Sequence, residues 1–522
     1  MDAPALSLSF AWAVFLVAIL YLPGIRTGIN LADEGYLWLG ALRVMRGEVP
    51  IRDFRAYDPG RYYWCALWML LLGRSLFALR IVLLMTQMIA LALGTYAIHI
   101  ATAQWPATIL TSLILAAWML PRYKHVDIVF PIVAVLVALI LAGNPIGQNY
   151  AIAGLFAGAC VLFGLNHALY AGGGLALLIG LIAIGGHGLR WDSAFARYVA
   201  GLAVGVLPAL LAMVAVPGLR RAYWRRKILT PIGRGTSNLP LPVPWLWRSA
   251  PPQLDYMAAC TSWAVRAGFT LMPFFYAYIL LRAVWWQGTA EAGHWPSVAV
   301  ACIGVFYMHH AMSRADISHL AQASPPLIIG LGLALSGHAY GWAMLLALAA
   351  VSMWCIYRPH ELFAKTRLSP EKLRRIEIDG NVLWLTQEMA QYLTVLHGLV
   401  EKYSGARDAV LLLPKLATLY PLFSREPAVY DVFCVYAASD EAQAEMLAEL
   451  QASRPGLAII DNGPVDSRDE LRFSNTHPRV WDHLNREYAK LDRVPGLPEN
   501  HCVFIGHAEF QPLAAKEIER ST

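Results

Sequence analysis

Two adjacent carboxylates, Asp33 and Glu34, stand in the step Ala32-Asp33-Glu34-Gly35-Tyr36, just beyond the first hydrophobic segment of the chain. Carboxylates at the exit of an apolar span are costly near lipid and mark functional positions. One reading makes Asp33 a helix N-cap, with Glu34 favouring the helix dipole. The other makes the pair a general base beside a metal ligand or orienting partner. Successive helical side chains point about 100° apart, so both reach one substrate only at a helix end. Asp127 is a third candidate, because an acid leading directly into Ile128-Val129-Phe130 has little structural purpose.

Cations and polar donors fall at similar breaks. Asn166-His167 interrupts the apolar stretch 151–182, as a packing histidine or as part of a ligand path. Ser313-Arg314-Ala315-Asp316-Ile317-Ser318-His319 places Asp316 and His319 at i,i+3 on one helical face. That segment reads either as a local Arg-Asp pair or as an anion clamp, with Arg314 as a phosphate fork and His319 as a second donor. The first loop adds Arg52-Asp53-Phe54 and Tyr57-Asp58-Pro59-Gly60-Arg61-Tyr62-Tyr63-Trp64. The basic run Arg220 to Lys227 suits lipid headgroups or an anionic substrate. No Gly-rich phosphate loop, zinc spacing or nucleophile elbow is present, which argues against ATP-driven and serine-hydrolase chemistry.

The elements that must position these residues are membrane helices. The chain has 522 residues, 57% hydrophobic and 15% charged, and a mean hydropathy of +0.48. That excludes a single soluble domain. The expected fold is a polytopic α-helical membrane protein with about eleven spans to residue 357. A soluble α/β domain follows over 358–522. The opening segment lacks the basic n-region and cleavage site of a signal peptide and reads as a retained span. The first external loop, 23–76, is expected to hold interfacial helices at Asp33–Arg46 and Tyr62–Leu72, the latter too short to cross a bilayer. The proline-dense segment 239–245 reads as an extended loop.

Strands are expected at 409–413, 432–436, 457–460 and 502–505, and helices at 440–451 and 478–490. Five of the seven cysteines lie in or beside apolar segments, whereas Cys434 and Cys502 fall in the polar C-terminal region and could pair in an oxidising compartment. The net charge of +6 is modest and local, and carries no nucleic-acid-binding pattern. Counting spans puts Asp33-Glu34, the segment 123–127, the segment 164–167 and the segment 313–319 on one side of the membrane, with the C-terminal domain. The basic run lies there too, so the positive-inside rule alone would make that face cytoplasmic.

The order of first span, Asp33-Glu34-Gly35-Tyr36, Arg46-Gly47-Glu48-Val49-Pro50, Arg52-Asp53-Phe54 and Asp58-Pro59-Gly60-Arg61-Tyr62-Tyr63-Trp64 resembles the first extracytoplasmic loop of C-type (GT-C fold) glycosyltransferases. Among these it looks most like bacterial relatives of protein O-mannosyltransferases and aminoarabinose transferases. The resemblance covers the chain to about residue 357. It departs where the family's Lys-Pro-Pro is replaced by Asp58-Pro59-Gly60-Arg61, and where Asn166-His167 stands in place of a lysine.

The resemblance implies an inner-membrane bacterial enzyme with its site facing the periplasm or exterior. Such an enzyme passes a sugar from a polyprenyl phosphate to a glycan, lipid or protein acceptor. It implies Asp33 as catalytic base, assisted by Glu34 and Asp127, and places a divalent cation, Mg or Mn, on Asp33 and Asp127. Arg61, His167, Arg314 and His319 would receive the donor phosphate, and Tyr36, Asp58 and Asp316 would position substrate. A direct displacement would invert the anomeric centre. A transporter or flippase of lipid-linked sugars is the competing class, although no paired halves are evident.

Overall fold

The computed structural model describes residues 2–184, 191–234, 238–249, 255–285, 295–360, 372–405 and 408–506. The chain forms two compact units. The first comprises Met1–Ile25, Tyr57–Gly73 and Phe77–Leu368, and the second Arg26–Ala56, Arg74–Leu76 and Ser369–Thr522. The division expected at residue 357 therefore differs from the compact units, because most of the first loop clusters with the C-terminal part of the chain.

The first unit is helical. Among the described residues seven helices are long and apolar enough to span a bilayer: Ala3–Gly24, Leu76–Thr102, Arg122–Gly143, Leu165–Ile184, Asp192–Ala215, Tyr256–Trp285 and Gly341–His360. The pair Ile317–Ala323 and Pro325–Ser336, bent by 57°, is either an eighth, broken span or a re-entrant loop. Pro325 and Pro326 explain the bend, since proline removes an amide donor and crowds the preceding turn. The expected eleven is reached only by adding the shorter apolar helices Trp105–Ala117 and Gly147–Leu162 and the helix Trp295–Ser313. That last helix is buried on all sides over residues 298–304, as befits a central element.

Glycine sets the closest approach in this unit. Helices Gly147–Ala159 and Trp191–Ala215 meet through Gly154, Gly158, Gly201 and Gly205, two reciprocal small-xxx-small faces. A Cβ on Gly154 would lie 1.9 Å from the Tyr198 carbonyl oxygen, and one on Gly201 2.1 Å from that of Ala151. Backbones so close leave no room for a side chain.

Helix Pro59–Leu72 buries Arg61, Tyr62, Cys65, Ala66 and Met69 and exposes Leu67, Leu70 and Leu71. It is an amphipathic element of the kind expected at an interface.

The second unit holds a β-hairpin and a five-stranded sheet. Strands β1 (Leu373–Ile378) and β2 (Asn381–Thr386) are antiparallel. They turn at Asp379-Gly380, both at positive φ, the backbone a two-residue hairpin requires. The sheet contains β3 (Ala409–Leu413), β4 (Glu426–Pro427), β5 (Leu457–Asp461), β6 (Tyr488–Leu491) and β7 (His501–Gly506), in the order β4-β3-β5-β7-β6. β3 is parallel to β4 and β5, and β7 is antiparallel to β5 and β6. Helices Asp440–Ser453 and Pro478–Glu487 pack Met446, Leu450, Val480 and Leu484 against it.

Three expectations are corrected here. Residues 432–436 are not a strand: Arg55 ties Asp431 and the Phe433 carbonyl, so that carbonyl is taken by a side chain and not by a ladder. The helix expected over 478–490 stops at Glu487, and Tyr488 opens β6. All seven cysteines are free, and Cys434 is buried with its thiol donating to the Asp431 carbonyl.

Candidate active site

The sequence Asp58-Pro59-Gly60-Arg61 builds the head of a helix and delivers a cation from it. Asp58 is the N-cap residue with extended backbone, and Pro59 occupies the first helical position, where its missing N–H costs nothing. Gly60 permits close approach to the next element, since a Cβ there would sit 2.7 Å from the Leu162 carbonyl oxygen. Arg61 is thereby held against residue 163, with Nη2 donating to the Phe163 carbonyl at 3.0 Å.

Its main partner is Asp127, in the first turn of helix His125–Gly143. Arg61 grips that carboxylate with two nitrogens, at 2.8 and 3.1 Å. His167, in the first turn of helix Leu165–Ile184, meets the same carboxylate through Nε2 at 3.2 Å, and its Nδ1 lies 3.3 Å from the Tyr307 hydroxyl. Phe130 stacks on the imidazole at 4.8 Å. All four polar residues are buried. Three helix N-termini thus converge on one carboxylate, where their dipoles favour negative charge. Arg61 Nε is buried without a partner, and the Tyr57 ring lies 5.0 Å from both the Arg61 guanidinium and the Lys124 ammonium.

A second cluster gathers Arg314, Asp316 and His319. Asp316 caps helix Ile317–Ala323, accepting from the His319 amide at 2.9 Å and pairing with its Nδ1 at 2.8 Å. Arg314 donates to the other Asp316 oxygen at 2.8 Å and to the Leu239 carbonyl at 3.0 Å, and His319 Nε2 meets Asn238 at 3.1 Å. The proline-dense loop therefore covers this cluster. Burial works against the Asp316 charge, but the His319 hydrogen bonds and nearby cations hold its pKa at about 2. His310 joins the two clusters, its ring 6.4 Å from His167 and 5.2 Å from His319, with Gln322 at 3.2 Å. Tyr307, His310 and Gln322 escaped sequence reasoning. The polar end Tyr307-Met308-His309-His310 of an apolar helix was the available signal.

Asp33 and Glu34 belong to the other unit and have different environments. The helix there runs Asp33–Met45, so Asp33 is its first residue and not its N-cap. Capping falls to Asn30, whose side-chain oxygen accepts from the Ala32 and Glu34 backbone amides while the Asn30 backbone N–H donates to the Glu34 carboxylate at 3.3 Å. This is a reciprocal capping arrangement. Glu34 is buried and occupied by it, whereas Asp33 is half-buried. Gly35 lets the helix start meet Thr418, since a Cβ would fall 2.1 Å from the Thr418 amide nitrogen. Tyr36 is buried against the Phe433 ring, 5.4 Å away.

No group of three or more His, Cys, Asp or Glu side chains among the described residues is arranged to hold a metal. Both Asp127 oxygens are already taken by Arg61 and one also by His167.

The fold is that of a polytopic helical membrane protein of the GT-C architecture with a C-terminal α/β portion. Two crystal structures of ArnT from Cupriavidus metallidurans share that fold. The one bound to undecaprenyl phosphate is 12% identical, covers 98% of this chain and 100% of its own, and has a TM-score of 0.56. The apo state is 13% identical, covers 96% and 99%, and has a TM-score of 0.56. No family profile and no curated protein matches the chain.

Proposed function

We propose that this protein is an integral membrane glycosyltransferase that moves a sugar from a polyprenyl-phosphate donor to an acceptor hydroxyl, with inversion, at the extracytoplasmic face of a bacterial inner membrane. The observation that carries the reading is the whole-length fold match to a structure that binds undecaprenyl phosphate. The buried Arg61-Asp127-His167 centre supports it, because a membrane helix bundle rarely retains such groups without a ligand to serve.

The chemistry asks little of the protein beyond positioning. The acceptor oxygen forms a bond to the anomeric carbon, the bond from that carbon to the phosphate oxygen breaks, and the acceptor proton passes to a base. Asp33 is that base: it is the more accessible carboxylate of the pair, while Glu34 fixes the Asn30 turn that holds the helix start. Asp127 positions Arg61, the cation proposed to face the departing phosphate, whose Nε is buried with no partner of its own. His167 holds the Asp127 carboxylate, and Tyr307 holds the His167 ring in turn.

Purified protein supplied with polyprenyl-phosphate sugars and candidate acceptors tests the proposal directly. Asp33→Asn is expected to lower turnover by at least about 100-fold while donor affinity stays near that of wild type. Normal turnover in that variant would remove Asp33 from the role. Absence of transfer with any polyprenyl-phosphate sugar, against a donor-binding wild type, would favour a carrier of such lipids.

A further inference from the structure

The cations that the sequence singled out for a phosphate are each committed to a carboxylate, Arg61 and His167 to Asp127 and Arg314 and His319 to Asp316. Lys227 is held differently. Its ammonium lies 3.5 Å from Asp58 Oδ1, and that oxygen is buried with no hydrogen-bond partner. Asp58 is only 7% exposed, and although it occupies the N-cap position its side chain makes no capping bond. A buried carboxylate in this state is poorly compensated, since an unmade hydrogen bond to a charged group is costly.

Lys227 sits in the π-helical turn Trp224–Leu229, directly after helix Leu219–Tyr223. Single π-turns concentrate at functional positions. The same run carries Arg220, Arg221, Arg225 and Arg226. Tyr223 belongs to this neighbourhood as well: burial, with the Asp58 charge adding to it, pushes its phenol up to about 12, so it stays a hydroxyl donor.

We infer that Lys227 is an anion-receiving site for a phosphate mono- or diester, and that Asp58 is its built-in counter-ion, a carboxylate that occupies the lysine until the phosphate displaces it. The inference rests on the proposed glycosyltransferase reading and deepens it. Asp58 stands three residues before Arg61, so a phosphate that takes Lys227 from Asp58 arrives beside the free Arg61 Nε. The released Asp58 oxygen then gains a partner from a ligand hydroxyl or from Tyr223. In this form the pair acts as a selectivity device, because a neutral polyprenol has nothing to offer Lys227.

Binding of undecaprenyl phosphate to the full-length protein in nanodiscs tests this, with neutral undecaprenol and inorganic phosphate as parallel probes. Asp58→Asn removes the competing charge while keeping side-chain shape, and tightens undecaprenyl phosphate binding about five-fold, the scale of a partly exposed ion pair. Lys227→Gln weakens it by a similar factor, and the double variant behaves as Lys227→Gln alone. Undecaprenol binding changes in none of them. The same ranking with inorganic phosphate assigns the site to the phosphate group itself, and a ranking confined to the lipid assigns it to a membrane-delivered headgroup.

Unchanged or weaker binding in a folded Asp58→Asn protein overturns the inference. Should that variant fail to fold, Lys227→Gln decides, and unaltered affinity there overturns it. A wild type that transfers sugar but shows no Asp58 effect leaves the enzyme reading standing and removes only the counter-ion. A wild type that binds undecaprenyl phosphate no better than undecaprenol removes both.

Discussion

Asp127→Asn leaves Arg61 buried without its counter-charge, and the cost can be worked from the geometry. The pair is bidentate at 2.8 and 3.1 Å, and both residues are less than a tenth exposed. Two unit charges about 4 Å apart interact by about 4 kcal/mol at an effective dielectric of 20. Removing one partner of a buried pair costs about 3–5 kcal/mol in practice. The single variant should therefore lower the unfolding temperature of the detergent-solubilised protein by about 5 °C or more.

Removing both charges tests the cause. In Arg61→Met/Asp127→Leu no charge of the pair is stranded, and the remaining losses are the His167 and Phe163 hydrogen bonds, about 1–3 kcal/mol each. The double variant should thus be more stable than Asp127→Asn, although inactive. Thermal unfolding followed by tryptophan fluorescence ranks the three proteins. A single variant within about 1 kcal/mol of wild type, or a double variant less stable than the single, would refute the assignment of a charge-compensated centre.

Other expectations follow from individual contacts. Gly154→Val should destabilise by about 3 kcal/mol or more through collision with the Tyr198 carbonyl, whereas Gly180→Ala, which meets nothing within 4 Å, should unfold like wild type in the same melt. Asp316 has a folded pKa of about 2 against an ordinary 3.8, so its contribution, on the order of 2 kcal/mol, is present above about pH 4 and lost as pH falls toward 2. The stability gap between wild type and Asp316→Asn should close over that range, and a gap independent of pH would contradict the pairing. Gly35→Ala should shift the helix start away from Thr418 and lower both stability, by about 1–3 kcal/mol, and sugar transfer; a silent substitution would contradict the close approach.

The membrane class and the positions of polar breaks were legible because hydropathy is a local property and charge in apolar sequence is conspicuous. The strands at Ala409–Leu413, Leu457–Asp461 and His501–Gly506 were legible for the same reason, as short apolar runs between polar helices. Residues 432–436 look like such a run, but their backbone groups are taken by Arg55, Asp431 and Pro414 and not by a neighbouring strand. The hairpin at Asp379-Gly380 had a readable turn signal that the wider pattern obscured.

By itself the sequence determined that the chain spans a membrane many times, that it ends in an α/β portion, and which side chains have chemistry to offer. Tertiary structure decided their pairing. It gave Asp127 to Arg61 and His167, placed His310 between that group and the local Arg314-Asp316-His319 cluster that the sequence already offered, and left Lys227 opposite Asp58. Asp127 lies 66 residues from Arg61 and 40 from His167, and Tyr307 lies 140 from His167. No local propensity reports such contacts, because they exist only where helix ends converge and glycine lets backbones touch.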